Sequence, residues 1–484
     1  MDNLFKNKNI VFFLLVILSI GVLCVCSFST SPFYHVPAYE QDMFYTIGRV
    51  WAEGGLPYVD AWDSKGPIIF FFNALGYFLT HSHLGVFIIQ VMNLSLVLCT
   101  AYYLLCKYCK AAHALLYCIV FLGLYVIVNS GGNQVGDYTL FLSLLTVFAT
   151  YHWSREVERK HFFHSKVAAC LYGIFFASCL LSRLTNAAVL CSSVAVVFIV
   201  LCYHRMWKNI LCNILWFLIG FALIFMPFAI YFSWHGAFED MWYATFLYNI
   251  EYALHSGYVK DIKHDTPITS IYFYLYFACL NISFGGNLLM VYYKDGRCTR
   301  ILWCIILLVP IGWILKSYAQ ANYVISYLPV IFVFFMEMER LLSLHHNRIT
   351  QCILYGSCVC VGLGVVNHIR IFSMLLQDSS EVFQQGKMLT YVPHGASLAT
   401  YDCLPALNSL LGIRPYYPYF TCQNWAIENG ASLKDKVREC FEKGDAEWIL
   451  VYDLEHSQIR DILLRRYELR RIDRRNDLFL FQLK

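Results

Sequence analysis

Charge is missing from this chain over lengths that a soluble protein does not allow. Apolar runs of about 18 residues or more recur along the sequence, separated by short clusters of lysine and arginine. Runs of that length read as transmembrane helices. The composition agrees: 59% hydrophobic, 17% aromatic and only 14% charged, far from a soluble average. The formal charge of +4 is no nucleic-acid signal, because the cations lie in short clusters between apolar runs.

Those clusters thread the membrane. Lys107/Lys110, Arg155/Arg159/Lys160/Lys166, Arg205/Lys208, Lys294/Arg297/Arg300 and Arg340/Arg348 are all basic turns. If all face the cytoplasm, the apolar stretches between them must leave and return. The stretch 166–204 is too long for one span and suits a hairpin of two short ones; 301–340 reads the same way. The run 67–79, roughly 13 residues, is too short to span and is read as a helix on the outer interface. The result is about eleven spans, near 10–28, 84–106, 112–130, 138–153, 167–182, 187–203, 209–232, 268–291, 301–317, 323–341 and 349–375. The N-terminus is then cytoplasmic and the C-terminus outside.

The segment 10–28 lacks a small-x-small cleavage site and is read as a retained span. Most of the 20 cysteines sit inside apolar runs, where they act as small hydrophobes. No CxxC pair stands in a polar loop. Cys403, Cys422 and Cys440 lie on the outer side, where one disulfide is an open option.

From about 376 the chain turns polar and alternates helix-like and strand-like segments. Glu447-Trp448-Ile449-Leu450-Val451-Tyr452 reads as a buried strand, 467–472 and 478–483 as a hairpin around 473–477, and 433–441 as a helix. The expected fold class is an all-α polytopic membrane protein with a small C-terminal extracytoplasmic α/β domain. Its parts are a membrane domain 1–375, with long outer loops 29–83 and 233–267, and a soluble domain 376–484.

The first outer loop holds five carboxylates, two cations and many aromatic rings beside a bilayer. It includes Glu40-Gln41-Asp42-Met43-Phe44-Tyr45 and then Gly55-Leu56-Pro57-Tyr58-Val59-Asp60-Ala61-Trp62-Asp63-Ser64-Lys65-Gly66-Pro67. Ionisable groups kept beside a membrane usually serve a site. Three hairpin crests are expected to face the same side: Asn129–Tyr138 with Asp137, Ser182–Asn186 with Arg183, and Lys316–Tyr323 with Lys316 and Asn322. A carboxylate suited to general-base work and cations suited to a phosphate are thus expected on one membrane surface. Plainer roles stay open. Asp42 could cap a helix over 43–53, and Asp137 the fourth span. Arg183 and Lys316 could be snorkelling cations. Asp60 and Asp63 could be turn residues paired with Lys65, and Glu53 a solvated helix residue.

An N-terminal span, an outer loop with an early Asp, and then Gly55-Leu56-Pro57-Tyr58-Val59-Asp60 continuing to Lys65-Gly66-Pro67, resembles the GT-C membrane glycosyltransferases, in particular the protein O-mannosyltransferase and lipid A aminoarabinose transferase group. The resemblance covers about 1–375 and is most specific in 39–67. It implies a sugar moved from a polyprenyl-phosphate carrier to a glycan, lipid or protein acceptor hydroxyl at the outer face. Asp42 then matches the catalytic base and Asp137 a second acidic position. Lys65 matches the basic end of the loop, and Arg183 falls where a cation meets the carrier phosphate. Lys316, Tyr45, Asp63 and Asn322 complete the candidate substrate-binding set. Related chains read Tyr-x-His-Tyr near the late crest, whereas here Asn322-Tyr323 stands, and Asn322 can only hydrogen-bond.

In-line attack would invert the anomeric carbon. A monophosphate leaving group held by Arg and Lys needs no metal, and neither DxD nor clustered His is visible, so no metal or other cofactor is expected. Short loops and an outer tail suit a bacterial inner membrane, with the tail periplasmic. Three other readings compete, one of them a non-catalytic membrane scaffold whose tail binds a partner. A polymerase or ligase for pyrophosphate-linked oligosaccharides would favour an Arg/His pair in a late loop. A lipid-linked sugar flippase would favour internal repeats, which are not seen here.

Reporter fusions placed after Lys110, Lys208 and Lys484 should read inside, inside and outside. A cytoplasmic signal at the C-terminus would overturn the eleven-span threading.

Overall fold

The computed structural model describes residues 8–129, 131–255, 277–317, 321–341 and 380–484, together with 356, 359, 362–364, 366, 369, 372 and 373. The chain divides into two compact units. The first comprises 1–26, 88–228 and 259–370; the second comprises 27–87, 229–258 and 371–484. The second unit therefore gathers residues 29–83, much of 233–267 and the polar tail, which composition alone separates.

The expected spans appear as helices: Lys8–Cys26, His83–Leu105, Ala111–Val128, Asp137–Glu158, Lys166–Leu180, Ala188–Tyr203, Trp207–Trp234 and Arg297–Ser317. Among the described residues six helices are long and apolar enough to cross a membrane, and Pro67–Thr80, Lys166–Leu180 and Ala278–Met290 are shorter apolar ones. The start of the expected span 268–291, and most of 349–375, lie outside the described residues. Asp137–Glu158 is less apolar for a physical reason. It buries Thr139, Ser143, Thr146, Thr150 and Ser154, and each hydroxyl is bonded, Thr139 to Ser326 and Thr150 to Tyr172 among them. A helix packed among others carries hydroxyls that a lipid-facing one does not. The expected helix over 323–341 begins instead as a 3-10 segment, Ala321–Val330, and becomes α-helical at Ile331–Leu341. Pro329, which has no N–H to donate, sits at the end of the 3-10 run.

In the second unit, helix Tyr39–Ala52 packs on helix Pro67–Thr80, whose first residue Pro67 has the fixed φ that suits a helix start. Gln41 through Val50 are all buried, so this helix is enclosed on every face. Gly48 lets the pair approach: a Cβ there would lie 2.5 Å from the Asn73 Cβ and 2.8 Å from the Ala74 backbone nitrogen. The tail forms a four-stranded sheet in the order β1-β2-β4-β3, with β1 Leu398–Tyr401, β2 Trp448–Tyr452, β3 Tyr467–Asp473 and β4 Leu478–Leu483. β1 runs parallel to β2, and the other pairings are antiparallel. The buried face packs Trp448, Leu450, Leu478 and Leu480 on Cys403 and Leu407. β3 is the charged edge, with Glu468, Arg470 and Arg471 exposed. The expected strand, hairpin and helix are all present, the helix as Ala431–Lys443. β1 was not foreseen.

Gly48→Ala removes a helix-interior glycine, a gain of about 1 kcal/mol. The added methyl meets backbone atoms that cannot rotate away, and overpacking of this kind costs roughly 1–3 kcal/mol. The variant should therefore melt at a lower temperature in detergent or nanodiscs; an unchanged or raised melting temperature would mean that the two helices pack less tightly than this.

Candidate active site

Asp42 stands in the first turn of helix Tyr39–Ala52, with a side chain 0% exposed. Its Oδ2 accepts the Ala38 backbone N–H at 2.8 Å and its Oδ1 accepts the Ser409 hydroxyl at 2.6 Å. The His35 Nε2 lies 3.3 Å from the same Oδ1. The helix starts at Tyr39 with Ala38 at its N-cap, so Asp42 is not the cap of a helix over 43–53; it lies inside the first turn and caps only by reaching back to the Ala38 N–H, with a seryl and a histidyl partner beside it. His83 completes the group. Its ring is edge-on to His35 at 4.7 Å and stacked on Tyr45 at 3.6 Å. Tyr45, 4% exposed, therefore lies against an imidazole in the core of this unit.

One ligating atom from each of His35, Asp42 and His83 lies within 4.8 Å of the others. Two imidazoles and a carboxylate are a donor set that suits a small divalent cation. No clustered histidine was visible in the sequence because the two imidazoles come from opposite ends of the first loop.

Three further ties hold this loop to the tail. The Arg49 guanidinium donates to the Asn408 carbonyl at 3.3 Å and the Ile413 carbonyl at 2.7 Å. The Tyr39 hydroxyl meets Thr421 at 2.5 Å and the Cys422 sulfur at 2.7 Å. The Trp62 backbone N–H reaches the Pro418 carbonyl at 2.9 Å. Burial pushes the Cys422 thiol up to about 12, so it is an inert neutral partner here rather than a nucleophile.

The loop end is a structured turn. Asp60 Oδ2 accepts the Leu56 N–H at 2.7 Å, and Asp63 Oδ2 accepts the Lys65 N–H at 3.3 Å. Burial raises the Asp63 carboxyl above the ordinary range, opposed by the Lys65 charge. Lys65, 18% exposed, pairs with Glu40 at 3.8 Å. The Tyr58 hydroxyl donates to the Lys65 carbonyl and Asn249, in helix Tyr248–His255, donates to the Ser64 carbonyl. Just before Asn249, residues Tyr243–Leu247 make a π-helical turn, a feature frequent near functional sites.

In the first unit the crest residues meet. Asp137, buried at the start of its helix, accepts the Tyr125 hydroxyl at 2.9 Å and the Gln134 N–H at 2.9 Å. The crest folds over it through Gly131, Gly132 and Asn133, all at positive φ, a conformation glycine adopts freely. Gln90 accepts the Asn133 N–H, and Asn93 donates to the Asp137 carbonyl. Asn322 from the late crest donates to the Gln134 side chain at 2.9 Å, and Asn186 from the middle crest donates to Thr139 at 3.3 Å.

Arg183 lies over the Tyr323 ring, 4.1 Å from its centroid. Its Nη1 and Nη2 are buried without a hydrogen-bond partner among the described residues. A guanidinium held on an aromatic face, with its fork unsatisfied, is arranged to receive an oxyanion. The Lys316 side chain lies outside the described residues. The sequence singled out Asp42, Asp137, Arg183 and Asn322, and missed His35, His83, Ser409, Arg49 and Tyr323. The only signal for the histidines was their place beside span ends.

Neither a protein-family model nor a curated protein sequence matches the chain. Solved structures do. ArnT from Cupriavidus metallidurans, determined bound to undecaprenyl phosphate, matches with a TM-score of 0.55 at 11% identity, over 97% of this chain and 97% of its own. The archaeal oligosaccharyltransferase AglB from Archaeoglobus fulgidus, in complex with an inhibitory peptide and a dolichol-phosphate, is similar at a TM-score of 0.47 and 10% identity, over 99% of this chain and 74% of its own. Shared along nearly the whole of both chains with ArnT, the architecture of this protein is the GT-C fold that its first loop resembles.

Proposed function

We propose that the protein is an integral membrane glycosyltransferase that transfers a sugar from a polyprenyl-phosphate carrier to an acceptor hydroxyl at the outer membrane face. The observation that carries this reading is the Arg183 guanidinium, stacked on Tyr323 with its buried Nη atoms unpartnered among the described residues. An unsatisfied buried cation is costly unless a ligand completes it, and a lipid phosphate does so. The GT-C fold and the undecaprenyl phosphate bound to ArnT support the same carrier class.

The roles follow from charge. The acceptor oxygen attacks the anomeric carbon as its proton leaves. The bond from that carbon to the phosphate oxygen breaks, and the electron pair goes to the phosphate. Arg183 stabilises that growing negative charge, with Lys65 and Lys316 as further cations. Asp42 takes the proton. Asp137 positions the acceptor or the base, while Tyr45, Asp63 and Asn322 shape the sugar site. In-line displacement inverts the anomeric centre.

A second reading of the base has its own support. The Asp42 side chain is 0% exposed and engaged at both oxygens, whereas His35 beside it is 19% exposed. His35 could then meet the acceptor while Asp42 orients it, as a buried carboxylate orients imidazole elsewhere.

Purified protein given a polyprenyl-phosphate sugar separates these possibilities. Arg183→Ala should lose donor binding and transfer, and Arg183→Lys should keep more of both because it retains the charge without the fork; normal donor use by the alanine variant would remove Arg183 from the site. Asp42→Asn should insert and bind lipid yet lose roughly two to four orders of magnitude in turnover, with Asp137→Asn losing less. If His35→Gln loses more turnover than Asp42→Asn, the base is His35 and Asp42 orients it. Near-normal turnover in Asp42→Asn would return that residue to helix capping.

A further inference from the structure

At the end of the first unit that carries the basic turns there is a cavity of about 530 Å³. Three elements line it: the end of helix His83–Leu105 and its following turn, helix Asp137–Glu158, and helix Lys166–Leu180. Its lining changes along one helix face. Leu145, Phe148, His152, Arg155 and Arg159 follow one another at three- and four-residue steps, so they share a side of the helix. The apolar end is extended by Leu104 and Leu171, and the cationic end by Lys107. From Leu145 to Arg159 this face runs roughly 21 Å.

Of the three cations at this rim, only Arg159 is taken up by an acid among the described residues. Arg159 pairs with Glu156 at 2.6 Å. Among the described residues Arg155 bonds only the Tyr151 hydroxyl, at 3.2 Å, and Lys107 lies over the Tyr103 ring at 5.1 Å. Lys8 lies over that same ring at 5.1 Å and adds a further positive charge nearby. By the positive-inside rule this end of the helices faces the cytoplasm, where the leaflet carries anionic headgroups.

We propose that this cavity binds an anionic phospholipid of the cytoplasmic leaflet, its phosphate between Lys107 and Arg155 and one acyl chain along Leu145, Phe148 and Leu171. The apolar-to-cationic order of the helix face matches the order of groups in such a lipid. This site belongs to the cytoplasmic turns and involves none of the residues assigned to sugar transfer, so it stands or falls separately from the proposed activity.

Native mass spectrometry of the purified protein with phosphatidylglycerol, phosphatidylcholine or undecaprenyl phosphate tests it. Wild type should retain phosphatidylglycerol over phosphatidylcholine, and the double variant Lys107→Gln/Arg155→Gln should weaken that retention by on the order of 20-fold, as expected for two lost cations. The same variant with charge restored, Lys107→Arg/Arg155→Lys, should recover most of it. Equal retention of the two phospholipids, an unchanged preference in the glutamine variant, or loss of undecaprenyl phosphate retention in that variant to the same degree would each overturn the proposal, since the carrier belongs to the separate Arg183 site. Circular dichroism and melting of the glutamine variant distinguish lost binding from lost folding.

Discussion

The arrangement of the second unit depends on one buried carboxylate. Asp42 is removed from water and yet accepts hydrogen bonds at both oxygens, from the Ala38 backbone and from Ser409 far along the chain. A buried ionised group without such partners would be strongly destabilising. The Ser409 bond ties the start of helix Tyr39–Ala52 to the tail, and Arg49 and Tyr39 repeat that tie from the same helix. The tail is therefore part of the frame that holds the first loop, which gives it a structural role that composition did not suggest.

Both units pair carboxylates with cations, as Arg340 with Glu158 in the first and Lys65 with Glu40 in the second. In the second, carboxylates and cations are satisfied by one another and by backbone groups, as in Asp63 and Lys65. In the first, Asp137 is satisfied by Tyr125 and Gln134 while Arg183 keeps its fork unused among the described residues. Asp137 is thus a group that folding has already completed, whereas Arg183 is the one that the proposed function supplies with a ligand. The snorkelling alternative for Arg183 is weakened, because a snorkelling cation reaches water and the Arg183 Nη atoms are buried.

The sequence made the helices legible because lipid enforces them: length and hydropathy locate Lys8–Cys26 or Trp207–Trp234 to within two residues. It was weaker where protein rather than lipid surrounds the chain. The 3-10 run Ala321–Val330 carries the same apolar residues as a helix would. β1 is four residues long and has no alternation to read. The loop acids were visible as a cluster, and Asp60 and Asp63 were legible as turn residues. Their neighbours were not, since His35, His83 and Ser409 meet only through tertiary packing. The crest residues were found because a polar residue between two apolar runs has few ordinary reasons to be there. Tyr323, which lies under the Arg183 guanidinium, was given no role of its own in the late crest.

The central claim is that Arg183 receives the carrier phosphate. A cryo-electron-microscopy structure of the protein in nanodiscs with a non-transferable polyprenyl-phosphate analogue tests it directly. The phosphate should lie within hydrogen-bond distance of the Arg183 Nη atoms, with the guanidinium still on the Tyr323 ring. A phosphate bound elsewhere, with Arg183 unchanged and unliganded, would contradict the account.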